Sequence, residues 1–212
     1  MKKPDIAIVI YKNRAFSLVE LLVVIAIIAI LSALAMPAFN AIKSAGGLTK
    51  TGNDVAGILE QARAYAMAQN TYVWVGFRQD EDTLVVAVVA SQTGVSSPST
   101  NVSRLGKILR FENTRLAPLS SSDSQRPKAD KQLVDASDSA RDFTLDSPAG
   151  LSFGPQVVQW NSQGEARISS SNIDKLIEIG LQASVNGAVR NAANYAAVQV
   201  GGLSGAVSVY RP

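Results

Sequence analysis

Between Leu21 and Met36 the chain has a single polar side chain, Ser32, and no charge. Continued to Phe39 the run is 19 residues long, about 28 Å as an α-helix, which matches one hydrocarbon core. The pattern predicts a transmembrane helix whose apolar surface comes from Leu21, Leu22, Val23, Val24 and Ile25, then from Ile27, Ile28, Ile30, Leu31 and Leu34. One carboxylate, Glu20, stands at the entrance to this run. A charge costs on the order of 2.5–3.5 kcal/mol at mid-bilayer and less near the edge, so it is retained where it has a task. Pro37 falls inside the same stretch, where it removes a backbone donor and clashes with the preceding turn. A kink is the preferred expectation because apolar spacing resumes afterwards. A plain helix end, supported by Asn40 and Gly46-Gly47, is the alternative.

Beyond Pro37 the helix is expected to continue through 40–70, with a weak joint at Gly46-Gly47 and Gly52. Val55, Ile58, Leu59, Ala62, Tyr65 and Ala66 recur every three or four residues and form one stripe suited to packing on a sheet. Asn53 or Asp54 suits the cap of a resumed helix and Asn70 its end. Strand patterns come next. Thr71–Phe77 and Thr83–Ala90, either side of an acidic turn, predict a hairpin, and Lys107–Phe111 a short third strand. Leu151–Trp160 and Glu165–Ser169 flank Asn161-Ser162-Gln163-Gly164 as a second hairpin, and Lys175–Ser184, Tyr195–Val200 and Ala206–Tyr210 supply the last strands. Ser91–Asn101 and Ala117–Ser139 are polar and predict exposed loops, near 91–106 and 117–142. The expected fold class is α+β, a long N-terminal helix packed on a C-terminal antiparallel sheet domain over 71–212.

The charge balance changes the picture of partners. Residues 1–15 hold Lys2, Lys3, Lys12 and Arg14 against Asp5, an asymmetry that keeps this end in the cytoplasm and sends the rest of the chain across the membrane. The remainder carries 16 basic and 16 acidic side chains, so the net charge of +3 belongs to the start of the chain. No electrostatic case for a nucleic-acid partner survives. With no Cys there is no disulfide, and with no His there is no His-based triad, His general base or His-containing zinc site. No cofactor or metal site is expected. A cleaved secretory signal shares the charged start and apolar core. Against it, the run exceeds a usual signal core, and Ala33-Leu34-Ala35 is a weak cleavage match.

The run Arg14-Ala15-Phe16-Ser17-Leu18-Val19-Glu20 resembles the prepilin-type leader of the type IV pilin and pseudopilin superfamily. That resemblance implies cleavage between Ala15 and Phe16, N-methylation of Phe16, and assembly through Phe16 and Glu20, the carboxylate pairing with a neighbour's N-terminal amine. The family usually has Gly before the cut; Ala15 is the nearest in size, and cleavage is expected there. The implied organisation is a leader over 1–15, a transmembrane and assembly helix over 16–39, its continuation over 40–70 and a β-rich domain over 71–212. The implied location is the bacterial inner membrane, single-pass, with the C-terminal domain periplasmic until extraction into a filament. The implied partners are other pilin or pseudopilin subunits, prepilin peptidase/N-methyltransferase, the inner-membrane assembly platform and, before assembly, lipid. Such a protein is a structural subunit, a substrate of an enzyme and not one itself.

A narrower resemblance rests on Asp54–Asn70, with its Ala62-Arg63-Ala64-Tyr65-Ala66 core, followed by Tyr72-Val73-Trp74-Val75. This is similar to the GspH/FimT pseudopilins, as is the block from Leu151-Ser152-Phe153-Gly154 through Gln163-Gly164-Glu165-Ala166. Ala206 stands where that family commonly has Arg, and the serine-rich stretches have no counterpart there. They point to a divergent branch that resembles the pilin-like proteins of the Verru_Chthon cassettes. The function implied is a minor pilin or pseudopilin of a type IV pilus or type II secretion pseudopilus, with a DNA-binding minor pilin of DNA uptake as the alternative.

Other constellations carry less. Asp135, Asp138, Asp142 and Asp146 are spaced for one polar face but lack the EF-hand pattern for calcium. Arg104, Lys107, Arg110 and Arg115 gather near Phe111, yet alternation there reads as a half-exposed strand before a single-strand-binding groove. Trp74 and Trp160 are expected in the core.

Overall fold

The computed structural model describes residues 18–98, 101–120, 124–148, 150–189 and 191–212, and, in the helix, the side chains of 18–32 and 47–68. The chain divides into two compact units, Met1–Ile42 and Lys43–Pro212. One helix, α1, covers Leu18–Ala68. The expected joint at Gly46-Gly47 and Gly52 is not a break, and Asn53 and Asp54 lie inside the helix and cap nothing. Packing explains Gly52: a Cβ there would come 3.1 Å from the Cβ of Ala196, so the glycine serves a close helix–sheet approach. The helix ends as expected. Asn70 takes a left-handed conformation (φ +48°) and the Thr71 N–H donates to the Ala66 carbonyl at 3.0 Å. The geometry at Pro37, and so the expected kink, lies outside the described residues.

Among the described residues, fourteen strands come after the helix. The chain first lays down β1 (Val73–Asp80), β2 (Thr83–Ser91), β3 (Val102–Arg104), β4 (Leu109–Glu112), β5 (Thr114–Leu116) and β6 (Lys131–Gln132). After two short 3-10 turns, Leu133–Asp135 and Ser139–Arg141, come β7 (Phe143–Leu145), β8 (Leu151–Phe153), β9 (Val157–Trp160) and β10 (Ala166–Arg167). The last are β11 (Leu176–Val185), β12 (Ala188–Val189), β13 (Tyr195–Gly201) and β14 (Val207–Tyr210). The first sheet has the order β10-β9-β1-β2-β3, with β4 also on β2. The second runs β12-β11-β13-β14, with β5 and β6 on β11. The architecture is therefore the α+β one expected, a helix followed by antiparallel β-structure.

Period-two alternation sorts side chains between the faces. From the first sheet Val73, Val75, Phe77, Leu84 and Val86 join Val55, Leu59 and Ala62 of α1 in one core. Ile177, Ile179 and Leu181 of β11 and Ala196, Val198 and Val200 of β13 complete it. Trp160 is here and Trp74 is on the opposite face, both fully buried as expected.

The outer faces hold the surprise. Trp74, Val85, Ala87 and Val89 form a second core with Phe143, Leu145 and Phe153 of the β7–β8 hairpin. Phe143 and Phe153 stack with ring centroids 5.1 Å apart. The expected strand Leu151–Trp160 is therefore two strands: it breaks at Gly154-Pro155, and β8 pairs with β7 while β9 joins β1. The expected loop over 117–139 is likewise corrected. Ala117, Leu119 and Leu133 are buried, and Arg126 is only 8 % exposed. Composition misled because a few well-placed residues, not a continuous apolar pattern, seat this strap on the second sheet.

Two strand glycines permit the two covers. At Gly76 a Cβ would lie 2.7 Å from Phe143 Cζ and from Phe153 Cβ. At Gly180 it would meet the Ala117 carbonyl and stand 2.7 Å from Leu119 Cγ. Gly76→Ala should cost about 1–3 kcal/mol by overpacking. Thermal unfolding should show this as a Tm lowered by roughly 2–12 °C; an unchanged Tm would mean the hairpin is not held that tightly.

Candidate functional site

In the globular unit the polar groups sort into a buried tether and a lined cavity. The tether is Arg126 on Glu178. Arg126 Nε donates to Glu178 Oε2 at 2.7 Å and Nη2 to Oε1 at 3.3 Å, the side chains 4 % and 2 % exposed. Arg126 Nη2 also donates to the Ser120 carbonyl, Nη1 to the Tyr195 hydroxyl, and the guanidinium lies 5.0 Å over the Tyr195 ring. Gln199 Nε2 donates to Glu178 Oε2 at 2.8 Å and to the Pro127 carbonyl at 2.7 Å. Gln132 clamps Leu119, accepting from its N–H and donating to its carbonyl. These contacts fasten the strap to the outer face of β11 and β13.

The cavity, about 340 Å3, is lined by Tyr72, Ser96, Gln159 and Asn161 and by two guanidiniums, Arg141 and Arg167. Arg141 donates through Nη1 and Nη2 to Asp138 Oδ2, both at 3.2 Å, and through Nη2 to the Ser170 hydroxyl. Burial pushes the Arg141 guanidinium below its ordinary pKa; Asp138 opposes that shift and the charge on Arg167 adds to it. Arg141 stays charged at any physiological pH nonetheless. Arg167 pairs with Glu165 at 3.4 Å, and Glu165 accepts from Asn161 Nδ2 at 2.7 Å. The Nε–H groups of Arg141 and Arg167 have no hydrogen-bond partner among the described residues.

Of the four aspartates, Asp138 is the one given a defined job. Hydrogen bonds from the Ser170 hydroxyl and from the Ala140 and Ser170 N–H groups, and secondarily the Arg141 charge, hold its carboxyl at about 2 against an ordinary 3.8. Its folded pKa is depressed, so the stability it contributes is present above about pH 4 and is lost as pH falls towards 2. Asp138→Asn should therefore flatten that part of a Tm-against-pH curve and leave the neutral plateau lower; an identical acid limb would refute the assignment. Asp142 is shifted the other way by burial and by Asp138. Among the described residues no group of three or more His, Cys, Asp or Glu side chains is placed to hold a metal. In the basic group, Arg104 donates to the Ser147 carbonyl at 2.6 Å and Arg115 to the Gly187 carbonyl. Phe111 packs against the main core.

The N-terminal helix is chemically different. Leu21, Leu22, Val23, Val24 and Ile25, five successive positions that go once round a helix, are between 45 % and 60 % exposed. Ile27, Ile28, Ile30 and Leu31 continue at 52 % to 62 %. A helix apolar on every side is one that other apolar matter covers. Glu20 precedes this surface and is itself exposed. The described side chains stop at Ser32, and the positions of Leu34 and Pro37 within 33–46 lie outside them, as do Ala15 and Phe16. Among the described residues no helix is long and apolar enough to cross a membrane. The stretch 18–32 alone reaches about 22 Å, short of a hydrocarbon core of about 30 Å.

Residues 10–36 match the family model described as the prokaryotic N-terminal methylation motif. This chain carries a pilin-type methylation motif. The match supports a type IV pilin-like precursor of the kind processed by prepilin peptidase. Pilin-motif proteins are structural subunits and not enzymes, and the motif implies contact with prepilin peptidase and with other pilin subunits. It also suggests inner-membrane anchoring and filament assembly. No curated protein and no solved structure matches this pilin-like chain. The motif covers Ala15, Phe16 and Glu20 together with the apolar positions through Leu34. What sequence reasoning missed is the pair Arg141–Arg167 and the tether Arg126–Glu178. Arg126 and Arg141 sit in or beside polar stretches where no periodicity marks them as buried.

Proposed function

We propose that this chain is a minor pilin or pseudopilin, a structural subunit of a type IV pilus or of a type II secretion pseudopilus. The observation that carries the reading is the exposed helix, apolar on all sides, that the methylation motif overlaps. In this reading prepilin peptidase cuts between Ala15 and Phe16 and methylates the new amine. The helix over 16–39 then holds the subunit in the inner membrane, single-pass, with the β-rich domain in the periplasm. Lipid covers the apolar surface first, and the helices of neighbouring subunits cover it once the assembly platform draws the subunit into a filament. The Glu20 carboxylate meets the Phe16 amine of a neighbour; opposite charges that are both desolvated favour the one register in which they pair. The DNA-uptake alternative gains nothing from the basic group, because Phe111 is engaged in the core and not offered to bases.

Mass spectrometry of the native N-terminus tests the processing. The expected mature chain begins at N-methylated Phe16. A native protein that retains residues 1–15, or one released after Ala35, overturns the proposal.

A further inference from the structure

Assembly through the N-terminal helix, as proposed above, makes no use of the polar cavity beside Arg141. At about 340 Å3 it stands near the lower end of small-ligand sites, about 300–1,000 Å3, with room for one sugar-sized unit. Its walls come from places far apart in the chain: Tyr72 ahead of β1, Ser96 after β2, Arg141 in a 3-10 turn, and Asn161 and Arg167 around the β9–β10 turn.

Two guanidiniums share this space, and each is oriented by a carboxylate, Arg141 by Asp138 at 3.2 Å and Arg167 by Glu165 at 3.4 Å. That anchoring leaves an Nε–H on each without an acceptor among the described residues. Arg141 is 3 % exposed and both Nε atoms are closed off, so a ligand meets the two guanidiniums only through their terminal nitrogens. Two cations against two carboxylates leave the cavity close to neutral, which disfavours a single group with two charges, such as phosphate, inside it. The rest of the wall offers amides, hydroxyls and the Tyr72 ring, which stacks on Trp74 at 6.3 Å and so is held in place. One carboxylate to sit between the guanidiniums, several hydroxyls for the amides and Glu165, and one C–H face for Tyr72 describe a single chemistry.

We propose that this cavity binds a uronic-acid unit of an acidic polysaccharide, its carboxylate held by Arg141 and Arg167 and its hydroxyls by Asn161 and Glu165. The site stands on the globular unit's geometry and does not depend on how the chain assembles.

Isothermal titration calorimetry of the full chain in detergent micelles tests it with three probes: trigalacturonate, the neutral maltotriose, and sodium acetate. Trigalacturonate should bind, with maltotriose and acetate each at least about tenfold weaker. Arg167→Gln, with Tm unchanged, should weaken trigalacturonate about tenfold, the worth of a charge-assisted hydrogen bond. Should that variant lose stability, Arg167→Lys takes its place and should still weaken binding, since an ammonium cannot make the planar contact. Equal affinity for maltotriose or acetate, undiminished affinity in the folded Arg167 variant, or no heat at millimolar trigalacturonate overturns the proposal.

Discussion

Glu20→Ala chains should reach the membrane in normal amounts and be absent from the filament fraction. In the proposed reading insertion depends on the apolar run and the flanking Lys and Arg, which the substitution leaves alone. Assembly is different in the proposed reading, where the neighbour's amine would then be desolvated without a counter-charge. Removing one partner of a buried pair costs about 3–5 kcal/mol, which is roughly two to three orders of magnitude in each docking equilibrium. Glu20→Gln should fail almost as completely, since an amide keeps the shape but not the charge. Immunoblots of sheared filaments against membranes provide the readout. Recovery of the Ala variant in filaments at the wild-type level would remove Glu20 from the mechanism.

The second large effect belongs to the tether. Glu178→Ala should strand the Arg126 guanidinium, 4 % exposed at its side chain, beneath the strap. The expected loss is again about 3–5 kcal/mol, a fall in Tm of roughly 6–20 °C for a unit of this size. Replacing both partners, Arg126→Met with Glu178→Leu, should recover much of that loss, because an apolar pair needs no counter-charge. Thermal denaturation of the single and double variants separates the two outcomes. A single variant that melts within a degree of the parent would show that the ion pair is not buried in solution.

The parts of this protein that repeat were legible in its sequence, and the parts that do not repeat were hidden. The helical stripe Val55–Ala66 and the β1–β2 hairpin arise from three-to-four and two-residue periods, and the structure has both, except that Tyr65 of the stripe is 38 % exposed. The methylation motif was legible for another reason: it is a short run of characteristic residue types, matched over residues 10–36. The covers were not. Ile177-Glu178-Ile179-Gly180-Leu181-Gln182 alternates like a strand with one wet face, yet Glu178 and Gln182 are 2 % and 5 % exposed. The partner of Glu178 lies in the polar stretch after Ala117, and nothing local announces that Arg126 is the residue that turns inwards. Unbroken apolar runs were the available signal. Leu84 to Val89 carries no polar residue, the mark of a strand buried on both sides, so something had to cover its second face. The Arg141–Arg167 cavity was equally unreadable, since its walls come from segments far apart in the chain.

The glycines at 76 and 180 tie the two added layers to the strands beneath them. A shortened relative without those layers would bare Trp74, Val85 and Val89 to water and leave Glu178 facing solvent where here it faces Arg126. Such a relative should carry side chains at both glycine positions and polar ones in place of Trp74 and Val85. Insertion and strand can then be gained or lost only together, so trimming this domain by deletion alone should yield an aggregating product.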